Sequence, residues 1–161
     1  MNKNIDIGDS FLMDVYKHWT DIKGDSRYPN SRHFRPQKFA RNMTRLAVFE
    51  RSAHKNSVNC KLMGSSVSDL FHLPDGEKDI GSIRDDAIKH HLQGLIDRTS
   101  VLHVPEFLEE TIQPDSFLEI SYSVLCLPFS TDTNHEPTDL PTTYIYAFSL
   151  QTSQDVETDY S

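Results

Sequence analysis

The stretch LEISYSVLC, Leu118 to Cys126, decides how the chain is read. Leu118, Ile120, Tyr122, Val124 and Cys126 alternate with Glu119, Ser121 and Ser123. A period of two is the signature of a strand with one face in a core. The stretch TYIYAFSL, Thr143 to Leu150, repeats the pattern with Tyr144, Tyr146, Phe148 and Leu150. The segment between them, Pro128 to Thr142, holds three prolines and reads as a long loop. Two such strands without a helical crossover must be antiparallel.

Working outward, Val101 to Val104 reads as a third late strand cut off by Pro105, and Glu109-Glu110 as a solvated turn. Before it, Ser82-Ile83-Arg84-Asp85 resembles a capping box. The helix it opens carries Ile83, Ala87, Ile88, His91, Leu92, Leu95 and Ile96 on one face and ends near Thr99. Leu73 to Gly81 is a loop, and Ser65 to Phe71 a short helix with Val67, Leu70 and Phe71 inward. Upstream, Leu46 to Glu50 and Val58 to Leu62 form a hairpin around the polar turn Ser52 to Ser57. Arg35-Pro36 starts a short helix whose buried residues are Phe39 and Met43.

The N-terminal helix is expected over 10–23, with Ser10 as N-cap and an end near Gly24. Phe11, Leu12, Val15, Tyr16, Trp19 and Ile22 form its apolar stripe; Asp14, Lys17, His18 and Asp21 form the other face. The whole is one α+β domain over 10–150: a five-stranded antiparallel sheet with helices on one face and a flanking N-terminal helix. Residues 1–9 and the acidic tail 151–161, with Asp155, Glu157 and Asp159, are expected to be disordered.

At 161 residues the chain has room for one core without staples. Mean hydropathy is −0.53 and the net charge −8, with a pI of about 5.4. Such a balance argues against nucleic acid and against anionic membrane surfaces. No run approaches a membrane span, and Met1 to Gly8 lacks the pattern of a secretory leader. Two cysteines, Cys60 and Cys126, make no disulfide framework, so a reduced, cytoplasmic setting is expected.

The element order matches that of a PAS domain, and short motifs strengthen the likeness. Trp19, Lys23-Gly24, Pro29, Arg32 and Pro36 resemble the N-terminal signature of the proteobacterial stand-alone PAS domain proteins. Leu62-Met63-Gly64-Ser65 with Phe71 resembles that family's strand-Gly-helix segment, and Leu125-Cys126-Leu127-Pro128-Phe129 its late strand. His72 stands where the family tends to have glycine, and Arg35 where it tends to have aspartate. The resemblance implies a sensory or regulatory module, not an enzyme. Such a module binds a small ligand or a partner protein and signals by contact. Helices flanking PAS domains commonly pair, so Phe11, Leu12, Val15 and Trp19 are the expected homodimer interface. The alternative is a structural dimerisation or interaction protein without ligand, its interior filled by its own aromatics.

A ligand would lie between the helix opened at Ser82 and the Leu118–Cys126 strand. Ile88, His91, Leu92 and Leu95 supply one wall, Phe71 closes an end, and Tyr122 offers a hydroxyl. His91 sits where haem-binding PAS domains carry an axial histidine, yet a core histidine with one hydrogen bond is the preferred reading. Cys60 occupies a strand position, unlike the helical cysteine of flavin-adduct PAS domains, and reads as a small buried hydrophobe. The histidines show no metal spacing, and Gly64-Ser65-Ser66 has no base nearby. The basic run Arg32, Arg35, Lys38, Arg41 and Arg45 suits an anionic ligand or acidic partner, although a solvated helix face is preferred.

Overall fold

A computed structural model describes residues 8–51, 58–73, 80–99, 101, 104–130, 142–150 and 154–155. The elements run α1 (Ser10–Lys23), a 3-10 segment Pro36–Arg45, β1 (Leu46–Arg51), β2 (Val58–Met63) and α2 (Ser65–Leu70). They continue with α3 (Asp86–Thr99), β3 (Glu106–Asp115), β4 (Leu118–Phe129), β5 (Thr143–Leu150) and β6 (Gln154–Asp155). Five antiparallel strands lie in the order β2-β1-β5-β4-β3, and the two-residue β6 pairs with the start of β4. This is the expected mixed α+β sheet architecture, consistent with a PAS-like fold.

The sheet is covered on both faces. On one, α2, α3 and the 3-10 turn Ile80–Ser82 pack against Ile120, Tyr122, Val124, Cys126, Tyr144, Tyr146 and Phe148. On the other, α1, Phe34 and Phe39 pack against Leu46, Leu125, Leu127, Phe129, Ile145 and Ala147. Successive residues of β4 and β5 thus serve opposite cores. The four side chains expected at a dimer interface, Phe11, Leu12, Val15 and Trp19, are buried in this second core of the same chain. Trp19 Nε1 donates to Pro128 O at 2.8 Å, and this contact is buried. Pro128 lies beyond the last β3–β4 pair, Glu106 with Cys126, so its carbonyl has no β3 partner. Each such burial is worth about 1.5–3 kcal/mol.

Several expectations need correction. Asp9, not Ser10, caps α1, accepting from Leu12 N at 3.0 Å; it lies in the segment expected to be disordered. Asp9 also pairs with Arg45 at 3.2 Å and accepts from Ser149 Oγ at 2.9 Å, tying the N-terminus to the end of β5. His18 is buried rather than on a solvent face: its Nε2 accepts from Arg35 N at 3.1 Å, and its ring lies 5.2 Å from Phe34 and 5.6 Å from Phe39. Met43 is 41% exposed, because the Pro36–Arg45 segment is 3-10 with non-helical breaks at Phe39 and Asn42, which upsets a four-residue spacing.

α3 opens three residues later than expected. Asp85, not Ser82, caps it, accepting from Ile88 N at 3.0 Å, and Ala87 is exposed. Val101 and Val104 are exposed, with Leu102 and His103 outside the described residues; the third late strand is β3, which contains Glu109 and Glu110. β4 extends through Pro128 and Phe129, and 131–141 lie outside the described residues, as do 52–57 and 74–79. Within the tail expected to be disordered, Gln154 and Asp155 pair with Glu119 and Leu118. The two departures from the family pattern fare differently. His72 adopts φ 56, the left-handed region that glycine enters without cost. Arg35, with φ −114 and ψ 89, lies outside the helical region that the following proline disfavours.

Gly64 joins β2 to α2 where no side chain fits. A Cβ there would overlap the backbone carbonyl of Thr44, and Gly64 N donates to Leu46 O at 2.8 Å. Gly64→Ala is expected to lower unfolding stability by at least about 2–3 kcal/mol in urea titration; a variant as stable as the parent would contradict this close approach.

Candidate functional site

The site lies between α3 and β4. Asp85 fixes the start of α3, and the helix then presents Ile88, Leu92 and Leu95 to the first core, each at most 5% exposed. His91 lies at the rim of that face and is half-buried. Across from it, Tyr122 projects from β4 and is 1% exposed. His91 Nε2 and the Tyr122 hydroxyl are hydrogen-bonded. Phe71, at the end of α2, stands with its ring 6.3 Å from His91 and 5.2 Å edge-on to Tyr122, and Phe148 lies 5.4 Å from Tyr122. Of the six expected ligand residues, Phe71, His91 and Tyr122 meet ring to ring, while Ile88, Leu92 and Leu95 wall the same core.

Glu110 is the member that the sequence reading missed. Its β3 position pairs with Tyr122 on β4, which puts both side chains on one face. The spacing Leu108, Glu110, Ile112 was the available signal, since Leu108 and Ile112 pack on the first core. Burial lowers the His91 pKa from its ordinary 6.5, against an opposing pull from the Glu110 charge. Burial holds the Tyr122 phenol far above its ordinary value, and Glu110 adds to this. Both groups are therefore neutral near pH 7, and the bond joins an uncharged imidazole to an uncharged phenol.

A second polar cluster lies further along α3. Thr99 Oγ1 donates to Ile96 O at 3.1 Å and is hydrogen-bonded to the Tyr146 hydroxyl. Cys126 lies beside them, and complete burial pushes its thiol up to about 12 in spite of hydrogen bonds with Thr99 and Tyr146. Such a thiol is a packing group, not a nucleophile.

Haem does not suit the described residues around His91. Its Nε2 is engaged by Tyr122, and Phe71, Tyr122 and Phe148 occupy the flanking space. Cys60 lies on the edge strand β2, with its Sγ donating to Leu62 O at 3.4 Å, so it lacks the helical placement of a flavin-adduct cysteine. Among the described residues, no group of three His, Cys, Asp or Glu side chains is placed to hold a metal ion. Nor is any helix among them long and apolar enough to cross a membrane. No family model, curated protein or solved structure matches the chain.

His18 and His91 both have pKa values lowered by burial; at His18 the Lys38 and Arg35 charges add to the effect while Asp21 opposes it. The unfolded chain therefore binds protons first. Stability that is complete above about pH 6.5 falls as the pH drops through the folded-state values. Urea midpoints are expected to fall between pH 7.5 and 5.5, and the double variant His18→Gln, His91→Gln to show a shallower fall. Equal slopes would contradict the neutral, buried assignment.

Proposed function

We propose that the chain is a PAS-like sensory or regulatory module that receives a small ligand at the His91–Tyr122 pair and signals by protein contact. The observation that supports this reading is the pair itself: a hydrogen bond between a helix and the sheet, set among Ile88, Leu92, Leu95, Phe71 and Phe148 with Glu110 beside it. An apolar site with a few convergent polar groups is the usual form of a small-molecule pocket. A ligand entering there replaces the hydrogen bond, pairing its own polar groups with the phenol and the imidazole. It also displaces Phe71, whose helix α2 packs against the Pro36–Arg45 segment and β5. That contact gives a route from the interior to the opposite face.

A second reading is an interaction protein without ligand. It is favoured by the fit of Phe71, Tyr122 and Phe148, each at most 1% exposed and in mutual ring contact. A homodimer through Phe11, Leu12, Val15 and Trp19 is not part of either reading, because those side chains are already covered by the sheet.

Absorbance and native mass spectra of freshly purified protein identify any bound molecule, which is then titrated against His91→Leu and Tyr122→Phe. Losing a buried hydrogen-bond partner costs about 1–3 kcal/mol, so affinity is expected to fall roughly five- to a hundredfold. Unchanged affinity in both folded variants, or no bound molecule and a change in stability alone, would support the ligand-free reading instead.

A further inference from the structure

On the face of the sheet opposite the His91–Tyr122 pair, a cavity of about 370 Å³ opens between the first turns of α1 and the Pro36–Arg45 segment. Its volume is near the lower end of the roughly 300–1,000 Å³ typical of small-molecule sites. The rings of Phe11 and Phe39, 5.9 Å apart and edge to face, form an apolar floor. Asp14 lines it from α1; Lys38 and Arg41 line it from the other element. All three are exposed, and none has an ion-pair partner among the described residues. By contrast, Arg45, in the same segment, is engaged by Asp9 and the Phe148 carbonyl and lies over the Phe11 ring.

Opposite charges thus border one cavity without neutralising each other. A simple anion there meets Asp14, and a simple cation meets Lys38 and Arg41. A ligand carrying both signs satisfies both walls. The cavity's size and floor leave room for a modest apolar group between them, and the Gln37 amide adds hydrogen-bonding capacity, the Asn42 Oδ1 being engaged by Arg45 at 3.2 Å. A long polyanion is disfavoured by Asp14 and by the net charge of −8 on the chain. We propose that this cavity binds a small zwitterion of the α-amino-acid class, with its carboxylate toward Lys38 and Arg41, its ammonium toward Asp14 and its side chain on Phe11 and Phe39. The inference is independent of the reading given to the His91–Tyr122 pair.

The test is a titration of the full-length, 15N-labelled chain at low ionic strength with L-leucine, N-acetyl-L-leucine and L-leucinamide, followed through backbone amide shifts. L-leucine is expected to shift amides in 10–14 and 37–42 saturably, with a dissociation constant on the order of 1 mM. Each blocked analogue, lacking one charge, is expected to bind about two- to fivefold more weakly, the range of exposed ion pairs. Asp14→Asn should weaken leucine and leucinamide but spare N-acetyl-leucine; Arg41→Gln should weaken leucine and N-acetyl-leucine but spare leucinamide. Both substitutions are at exposed positions and leave the fold intact, as the unshifted remainder of the spectrum would show. No saturable shift, equal binding of the three probes, shifts confined to the His91–Tyr122 region, or indifference to both substitutions would each overturn the proposal.

Discussion

Every layer of this protein follows from one constraint: β4 and β5 are apolar on both faces. From Tyr122 to Phe129 and from Thr143 to Phe148 each residue is buried. Side chains alternate along a strand, so a run buried at every position requires cover above and below. α2 and α3 supply one cover and α1 the other. A helix placed outside the domain would leave Leu125, Leu127, Phe129 and Ile145 in water. The Trp19–Pro128 hydrogen bond and the Asp9–Arg45 pair fix where that second cover sits.

The same constraint explains what could be read from the sequence and what could not. Alternation in 118–126 and 143–150 placed both central strands, but emphasis on the even-numbered face hid the fact that Leu125, Leu127, Ile145 and Ala147 also needed a partner. The stripe on α1 was correctly identified; its partner is the chain's own sheet, not a second subunit. β3 was missed because it is an edge strand, where burial is partial and glutamates sit among the apolar residues. Helix starts were displaced to serines, by one residue at α1 and by three at α3. At both α1 and α3 it is an aspartate carboxylate that accepts the third amide of the helix.

For the candidate site, periodicity put His91 and Phe71 on inward helix faces and Tyr122 on an inward strand face, because each face is determined by local spacing; that the faces meet was an implication of the PAS resemblance. Glu110 was out of reach for the opposite reason: its place beside Tyr122 depends on the β3–β4 register, a long-range property. His18 was misplaced because its neighbours Phe34 and Phe39 come from an irregular segment with no period to follow. The outcome is a protein with a polar group inside each core. His91 meets Tyr122 on one side of the sheet, and His18 meets the Arg35 backbone on the other.

Whether α1 is a layer of the domain is decided most directly by native-state amide hydrogen exchange on the full chain. If its stripe completes the second core, the interior amides of α1, Val15 to Trp19, exchange only through the global opening that also exposes β4 and β5. Their opening free energies then match those of Val124 to Leu127 and fall together with added urea. Exchange of the α1 amides through a separate opening several kcal/mol lower, with β4 and β5 still protected, would contradict the account.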